Sequence, residues 1–260
     1  MTESGTYLYA IAGSDAPVVP AVAGVGDQEV RRLDSPQGLT AYVSTVPLAD
    51  FGEAALRRNL EDLQWLEETA RAHHTVVETI SRAAAVAPVR LVTVYDGDQA
   101  VEAMLDERAG EFSRILAGVA GCSEWAVKIY QNPEAEPAEA VAASNAGASP
   151  GVAYLKRRQA GLRAREEAMR RTAELAEGVN AELSELAVAR RLHRPQDPQL
   201  SGERRPMVLN AAYLVHDGDA DAFREIAVAP RDEAIEVQTS GPWAPYSFAV
   251  LDEGRSIADG

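Results

Sequence analysis

The residues best suited to metal chemistry are two adjacent histidines, His73 and His74. Neighbouring side chains on a helix point about 100° apart, so this pair cannot easily hold one metal ion. The sequence around them also lacks the His-Glu-x-x-His pattern of a helical zinc site. We therefore expect a structural role for the pair, with one ring against the core and the other in solvent.

Two Asp-Gly-Asp turns, at residues 96–98 and 217–219, could be taken for calcium loops. An EF-hand loop needs oxygen ligands at positions 1, 3 and 5 and a glutamate at position 12. Neither turn supplies the complete series. Aspartate is also a preferred residue at helix N-termini, so we interpret the turns as N-caps, with Asp98 capping the helix that follows it.

No nucleophile has a recognisable catalytic context. No serine stands in a Gly-x-Ser-x-Gly motif, and the sequence contains no phosphate-binding Gly-x-x-x-x-Gly-Lys-Ser/Thr loop. Cys122 has Glu124 as a near neighbour, and this negative charge would raise rather than lower the pKa of the thiol. We therefore predict no catalytic, cofactor-binding or metal-binding residues.

A basic region lies in the middle of an acidic chain. Residues 150–205 carry a net charge of +4, whereas residues 1–149 carry −12 and residues 206–260 carry −7 of the total −15. The region is either a solvated helix face that pairs with the acidic domains or a docking surface for an acidic partner. RNA binding is a weaker alternative because no aromatic side chains alternate with the arginines. The candidate interaction residues here are Arg157, Arg158, Arg163 and Arg165.

A second candidate surface is the segment Pro-Trp-Ala-Pro-Tyr at residues 242–246. Its two prolines stiffen the backbone and hold Trp243 and Tyr246 in a fixed relation. An aromatic pair presented in this way has little conformational entropy left to lose on binding. The alternative is a corner that packs onto the protein's own core.

The composition excludes several classes of protein. With 46% hydrophobic and 25% charged residues, it is typical of a globular chain. The net charge of −15 argues against a generally basic, nucleic-acid-binding surface. A single cysteine cannot form an intramolecular disulfide, which favours a reducing compartment. The N-terminus lacks a basic signal-peptide region, and no run of 18 apolar residues occurs, so we expect a cytoplasmic protein.

Hydrophobic periodicity predicts an α+β protein of two domains. A long amphipathic helix is expected over 53–82, and a second over 152–194, either as a helical hairpin broken near Gly178 or as one helix laid along another element. The Pro- and Ala-rich residues 132–150 predict a flexible linker. The expected domains are therefore an N-terminal α+β domain at 1–131, the linker at 132–150, and a C-terminal domain at 151–260. Strands are predicted at 6–12, 39–45, 89–95, 125–130, 207–215, 234–239 and 247–251, and shorter helices at 98–116 and 220–228.

Several short segments resemble one known family. Residues 241–248, Gly-Pro-Trp-Ala-Pro-Tyr-Ser-Phe, closely resemble the Gly-Pro-Trp-Pro-Pro-Tyr-Ser-Phe signature of the gas vesicle family GvpL/GvpF. The departure at Ala244 affects the stiffness of the corner and leaves the resemblance intact. The other matches keep the family's order and are found at residues 7–11, 63–66, 72–73, 87–90, 124–130 and 151–155.

This resemblance implies a fold and a function. The fold is a two-domain α+β protein whose C-terminal domain is a modified ferredoxin-like fold. The function is that of a non-enzymatic accessory or minor structural protein of gas vesicles, in the cytoplasm and at the vesicle. It would bind the hydrophobic shell protein GvpA or other accessory Gvp proteins and assist assembly as a chaperone does, without nucleic acid, membrane or small-molecule substrate. A permanent shell component, and a small-molecule-binding ferredoxin-like enzyme or sensor, remain as alternatives, and the GvpF and GvpL types are not separated.

Overall fold

The chain forms two compact units. The structure is a computed structural model that describes residues 3–17, 22–132, 150–195, 203 and 205–249, with the backbone alone at 150–157. The first unit consists of Met1–Glu124 together with Pro242–Gly260, and the second of Trp125–Gly241. These bounds differ from the expected domains at 1–131 and 151–260, because the strand after residue 121 joins the second sheet and the C-terminal segment joins the first core. Most of the expected linker, residues 133–149, lies outside the described part of the chain.

The first unit is built on a sheet with the strand order β2-β3-β1-β4, in which β5 also pairs with β1. Residues 7–12 of β1 are fully buried, so this strand is apolar on both faces. Tyr7 and Tyr9 enter one hydrophobic cluster, whereas Leu8 and Ile11 enter another, which places a core on each face of the sheet. The strands are β1 (Ser4–Gly13), β2 (Arg31–Asp34), β3 (Leu39–Pro47), β4 (Val86–Pro88) and β5 (Val94–Tyr95).

Five helices in the described part of the first unit cover this sheet, and the expected single helix over 53–82 is wrong. The chain breaks at residues 60–62, where the Asp62 side chain accepts hydrogen bonds from the backbone N–H groups of Gln64 and Trp65 and starts a new helix. The prediction of one strand over 89–95 is also wrong, because Val92 has a left-handed backbone (φ 59°). The helices are α1 (Leu48–Phe51), α2 (Glu53–Asn59), α3 (Leu63–Ser81), α4 (Asp98–Glu107) and α5 (Ala109–Val119).

The second unit has the element order β-α-β-β-α-β. Its four strands lie in the order β7-β8-β6-β9, so the first strand of the unit sits between the third and the fourth. This is the split β-α-β plan of a ferredoxin-like domain, and it confirms the expected α+β fold class. The elements are β6 (Cys122–Gln131), α6 (Pro150–Leu186), β7 (Ala187–Leu192), β8 (Met207–His216), α7 (Ala220–Val228) and β9 (Ile235–Trp243).

Helix α6 is one unbroken helix of 37 residues, about 55 Å long, and the hairpin alternative is wrong. The region expected to break, around Gly178, lies against the sheet instead. Asn180 is buried there and accepts a hydrogen bond from the Tyr213 hydroxyl at 2.8 Å. Leu183 and Val179 enter the core of the unit. The helix ends at Leu186, because the residues after it form the edge strand β7.

The continuity of α6 predicts that Gly178→Ala stabilises the protein. Gly178 is exposed in mid-helix, and an added Cβ would meet no atom within 4 Å. Alanine in place of glycine in a helix interior favours folding by about 0.5–1 kcal/mol. Urea unfolding followed by circular dichroism measures this gain. The matched control is Gly97→Ala, which is equally uncrowded but has φ +81°, and should therefore destabilise. Destabilisation by Gly178→Ala would indicate a break in the helix.

Candidate functional site

The candidate arginines of the sequence lie on α6, in the second unit. Arg158, Arg163 and Arg165 are exposed, whereas Arg157 lies on the same helix with its side chain outside the described atoms. Farther along the helix the cations are paired: Arg171 lies 2.5 Å from Asp232. Among the residues that the structure describes, Arg158, Arg163 and Arg165 make no ion pair within 4 Å. Glu166 and Glu167 are also exposed on this part of α6, but residues 156–171 together keep a net charge of +5.

Two large apolar side chains are exposed beside these arginines. Leu162 is 53% exposed and Met169 is 63% exposed. They stand seven residues apart and so share one face of the helix with Arg165, at i+3, and with Arg158, at i−4. One and two heptads beyond Met169, the same row reaches Ala176 and Leu183, which are buried. We call Arg158, Leu162, Arg165 and Met169 the α6 seam; it continues the buried face of the helix into solvent.

The aromatic corner belongs to the first unit and divides into a buried and an exposed part. Tyr246 packs against the hydrophobic cluster that contains Tyr7 and Tyr9, and burial raises the pKa of its hydroxyl. Trp243, the last residue of β9, stays 38% exposed, with its ring 5.3 Å from that of His74. The predicted strand from residue 247 is absent over 247–249, where the chain forms turns instead. In one of them the Phe248 N–H donates a hydrogen bond to the Pro245 carbonyl at 3.0 Å.

A buried carboxylate anchors this corner. Glu124 is only 8% exposed, and its two oxygens accept hydrogen bonds from Ser247, one from the backbone N–H at 2.7 Å and one from the hydroxyl at 2.6 Å. In the sequence, Glu124 stands near Cys122 and opens the family-like segment 124–130, but neither pattern indicates an anchoring role. Its anchoring role has no local signal, because its partner lies 123 positions away.

The two histidines are placed as expected. His73 is 3% exposed, and its Nδ1 lies 3.0 Å from the Tyr7 hydroxyl, which also accepts a hydrogen bond from the Val92 N–H. Burial lowers the pKa of His73 to about 4, so the ring is neutral at pH 7. His74 is half-exposed, with Nε2 3.9 Å from Glu78. These contacts give His73 a structural role in the core.

The expected capping role of Asp98 is wrong. Gly97 occupies the N-cap position of α4, and the carboxylate of Asp98 turns towards the sheet. There it accepts hydrogen bonds from the Thr6 hydroxyl at 2.7 Å and from the guanidinium of Arg31 at 2.6 Å. The hydrogen bond from Arg31 is the main cause that lowers the pKa of Asp98. The aspartate therefore joins α4 to β1 and β2.

The second Asp-Gly-Asp turn, Asp217–Asp219, forms a short 3-10 turn before α7 and makes no side-chain capping bond. Within the described ranges, no three His, Cys, Asp or Glu side chains are grouped closely enough to hold a metal ion. No helix in the same ranges is long and apolar enough to cross a membrane.

The geometry defines a class of protein: a two-unit α+β protein with a ferredoxin-like second unit and an exposed, partly apolar basic helix. The family model for the gas vesicle synthesis protein GvpL/GvpF matches residues 5–250. This chain therefore belongs to the GvpL/GvpF family.

Individual relatives agree with this assignment. The chain is 39% identical to gas vesicle protein L of Streptomyces sp. strain CB03234 over 254 residues, which cover 97% of this chain and 95% of that protein. It is 29% identical to gas vesicle protein F of the same strain over 262 residues, covering 94% and 98% of the two chains. The crystal structure of the gas vesicle protein GvpF from Anabaena sp. PCC7120 has a similar fold, with a TM-score of 0.70 at 22% identity over 97% and 98% of the two chains.

Membership of the family gives this protein an accessory role in gas vesicles, in association with other gas vesicle proteins. The family is named for gas vesicle synthesis, and the relatives given above are named as gas vesicle proteins and not as enzymes. The two candidate surfaces belong to different units: the arginines to the second unit, and Trp243 and Tyr246 to the first.

Proposed function

We propose that this protein is a non-enzymatic assembly factor of the cytoplasm that binds the gas vesicle shell protein GvpA or other accessory Gvp proteins. The observation that carries the proposal is the match to the GvpL/GvpF family over residues 5–250, nearly the whole chain. The exposed surfaces support a binding role. The unneutralised arginines of α6 can attract an acidic partner, and the half-exposed Trp243 offers an aromatic contact on the other unit.

The mechanism that we propose is that of a chaperone. An apolar shell subunit aggregates unless its apolar surface is covered before it enters the vesicle wall. A partner with a strongly negative net charge, here −15, keeps such a complex soluble through charge repulsion between complexes. The arginines, Arg157 included, orient the encounter, and release follows when the subunit finds its place in the shell.

Capture experiments with purified proteins test this function. We expect the immobilised protein to retain GvpA or at least one companion accessory protein at low salt, and to retain less at moderate salt because screening weakens the charge attraction. Diluting denatured GvpA into buffer should give less turbidity in the presence of this protein than with the same concentration of serum albumin. Capture of neither GvpA nor any accessory Gvp protein at either salt concentration would reject the proposal.

Isolated vesicles distinguish a transient assembly factor from a permanent component of the shell. A factor that acts only during assembly is expected to be lost when isolated vesicles are washed, and a component of the wall to be retained. Antibody detection in the washed vesicle fraction and in the wash measures the difference.

A further inference from the structure

We propose that the α6 seam is a docking site for an amphipathic helix of a partner protein. In this arrangement an apolar stripe of the partner covers Leu162 and Met169, and its carboxylates pair with Arg158 and Arg165. The inference rests on the proposed function, because the partner is then one of the gas vesicle proteins, and it specifies which surface binds and what chemistry the bound segment has.

The spacing of the seam fits a helix. Leu162 and Met169 are one heptad apart, and a partner helix that crosses at a small angle meets the same face at each heptad. From Arg158 to Met169 the seam covers about 17 Å, or three helical turns. This length matches a partner segment of about two heptads, and the site therefore suits a short helix better than an extended peptide.

The surroundings of the seam allow close approach. Gly161 and Ala168 stand next to Leu162 and Met169, seven residues apart on an adjacent row of the helix. An added Cβ at Gly161 would meet no atom within 4 Å, so this side of the helix is open. Small residues beside large apolar ones form a groove that accepts the side chains of a second helix. Covering both large side chains would bury apolar surface that now faces water.

The charge of the seam decides between a second copy of this chain and another partner. In a parallel pair of α6 helices Arg158 and Arg165 would meet arginines, and in an antiparallel pair they would face Met169 and Leu162, so neither arrangement places a carboxylate of the seam opposite them. Like charges juxtaposed in this way disfavour association. A partner with glutamates or aspartates beside its apolar stripe relieves this repulsion. A nucleic acid could pair with the arginines but has no apolar stripe to cover Leu162 and Met169.

Arg163 provides a matched control within the same helix. It is adjacent to Leu162 in sequence, so its side chain points about 100° away from the seam. Like Arg165 it is exposed, and among the described residues neither makes an ion pair. Arg163→Glu and Arg165→Glu thus change the net charge of the helix equally but differ in the face that they alter.

The test uses the full chain and two designed helical peptides with leucines at heptad spacing. In one peptide glutamates flank the leucines, and in the other lysines do. We expect the glutamate peptide to bind the natural protein, as measured by fluorescence anisotropy, and the lysine peptide to bind at least about tenfold more weakly. Arg165→Glu and the double change Leu162→Gln with Met169→Gln should each weaken binding by about tenfold or more, and Arg163→Glu by less than about threefold. Arg158→Glu combined with Arg165→Glu should reverse the preference in favour of the lysine peptide.

Several outcomes would overturn the seam as a docking site. Equal losses from Arg163→Glu and Arg165→Glu would show unspecific attraction to a basic helix. Unchanged binding in the leucine and methionine double variant would show that no apolar contact is made. Self-association in sedimentation that Leu162→Gln abolishes would identify a second copy as the occupant. Single-stranded RNA that binds more tightly than the glutamate peptide would identify a nucleic acid instead.

The capture assay then separates this inference from the proposed function. If the natural protein captures gas vesicle proteins and Arg165→Glu captures them equally well, the seam is rejected and the proposed function stands. If the natural protein binds the glutamate peptide through the seam but captures no gas vesicle protein, the proposed function is rejected. Circular dichroism of each variant checks that the exposed substitutions leave the fold intact.

Discussion

Lowering the pH to 4 is expected to remove about 3 kcal/mol from the free energy of unfolding through His73 alone. Burial lowers the pKa of this residue from 6.5 to about 4, so the unfolded chain binds a proton between these values while the folded protein does not. The free energy of unfolding therefore falls as the pH decreases. The contribution of His73 is fully present above pH 6.5 and is lost progressively as the pH falls towards 4.

The variant His73→Gln isolates this effect. Urea unfolding at a series of pH values between 6.5 and 5 should show a smaller pH dependence in the variant than in the natural protein. This upper part of the range is chosen because most carboxylates stay ionised there. The matched control is His74→Gln, which makes the same substitution at the half-exposed neighbour and leaves the buried ring in place. Equal slopes in His73→Gln and the natural protein would mean that His73 binds its proton equally well in the folded and the unfolded chain.

The surroundings of His73 explain the size of the expected effect. Its ring lies 5.8 Å from that of Tyr7, 5.6 Å from that of Tyr9 and 6.4 Å from that of Tyr246, measured between centroids. The Nδ1 atom lies 3.0 Å from the Tyr7 hydroxyl, which also accepts a hydrogen bond from the Val92 N–H, and the ring tautomer decides which of the two groups donates. Protonation would place a positive charge among these buried rings, and the cost of removing that charge from water is the main reason why the pKa of His73 is lowered.

The second large effect is expected from Glu124→Ala, which should lower the free energy of unfolding by about 3 kcal/mol or more. The substitution removes both acceptors of Ser247, and hydrogen bonds to a charged group contribute about 1.5–3 kcal/mol each. It should also release the corner around Trp243. Urea unfolding measures the first effect, and hydrogen exchange of the amides at residues 243–249 measures the second.

Two further variants serve as controls for Glu124. Ser247→Ala removes the hydroxyl bond but keeps the backbone bond, so we expect a loss of about half the size. Glu78→Ala removes a partly exposed glutamate from an i,i+4 pair with Arg82, where the expected change is within about 0.5 kcal/mol. A loss below about 1 kcal/mol in Glu124→Ala would mean that the corner is held by its apolar contacts without the carboxylate.

Local patterns in the sequence predict local structure well. The helix over 220–228 is found with the same bounds, because its apolar positions and the turn before it lie within a few residues of each other. The break between α2 and α3 is not evident from the apolar pattern, because Leu60 and Leu63 continue the helical spacing on both sides of it. Asp62 is the residue that indicates the start of α3, since the side chain of an aspartate at the N-cap accepts hydrogen bonds from the N–H groups that follow it.

Long-range pairing explains what the sequence could not predict. The strand β6 precedes a Pro-rich segment and therefore looks like the end of the first domain, yet it lies between β8 and β9 in the second sheet. Likewise, apolar residues recur at heptad spacing along the whole of α6, but this spacing does not indicate that only the part near Leu183 packs against a core. In the sequence, charge alone identifies the candidate arginines. Their positions on α6 distinguish Arg165, which lies on the α6 seam, from Arg163, which does not.

The first unit is formed by residues from both ends of the chain, and this arrangement has a consequence for biosynthesis. Residues 125–241 are continuous, so the ferredoxin-like unit has all its strands as soon as β9 has left the ribosome. The first unit is translated earlier but still lacks Ala244 and Ala249, which are buried in its two hydrophobic clusters. The part of the protein that is synthesised first is thus completed last, and a released chain truncated after residue 241 would keep the whole second unit but leave the first one incomplete.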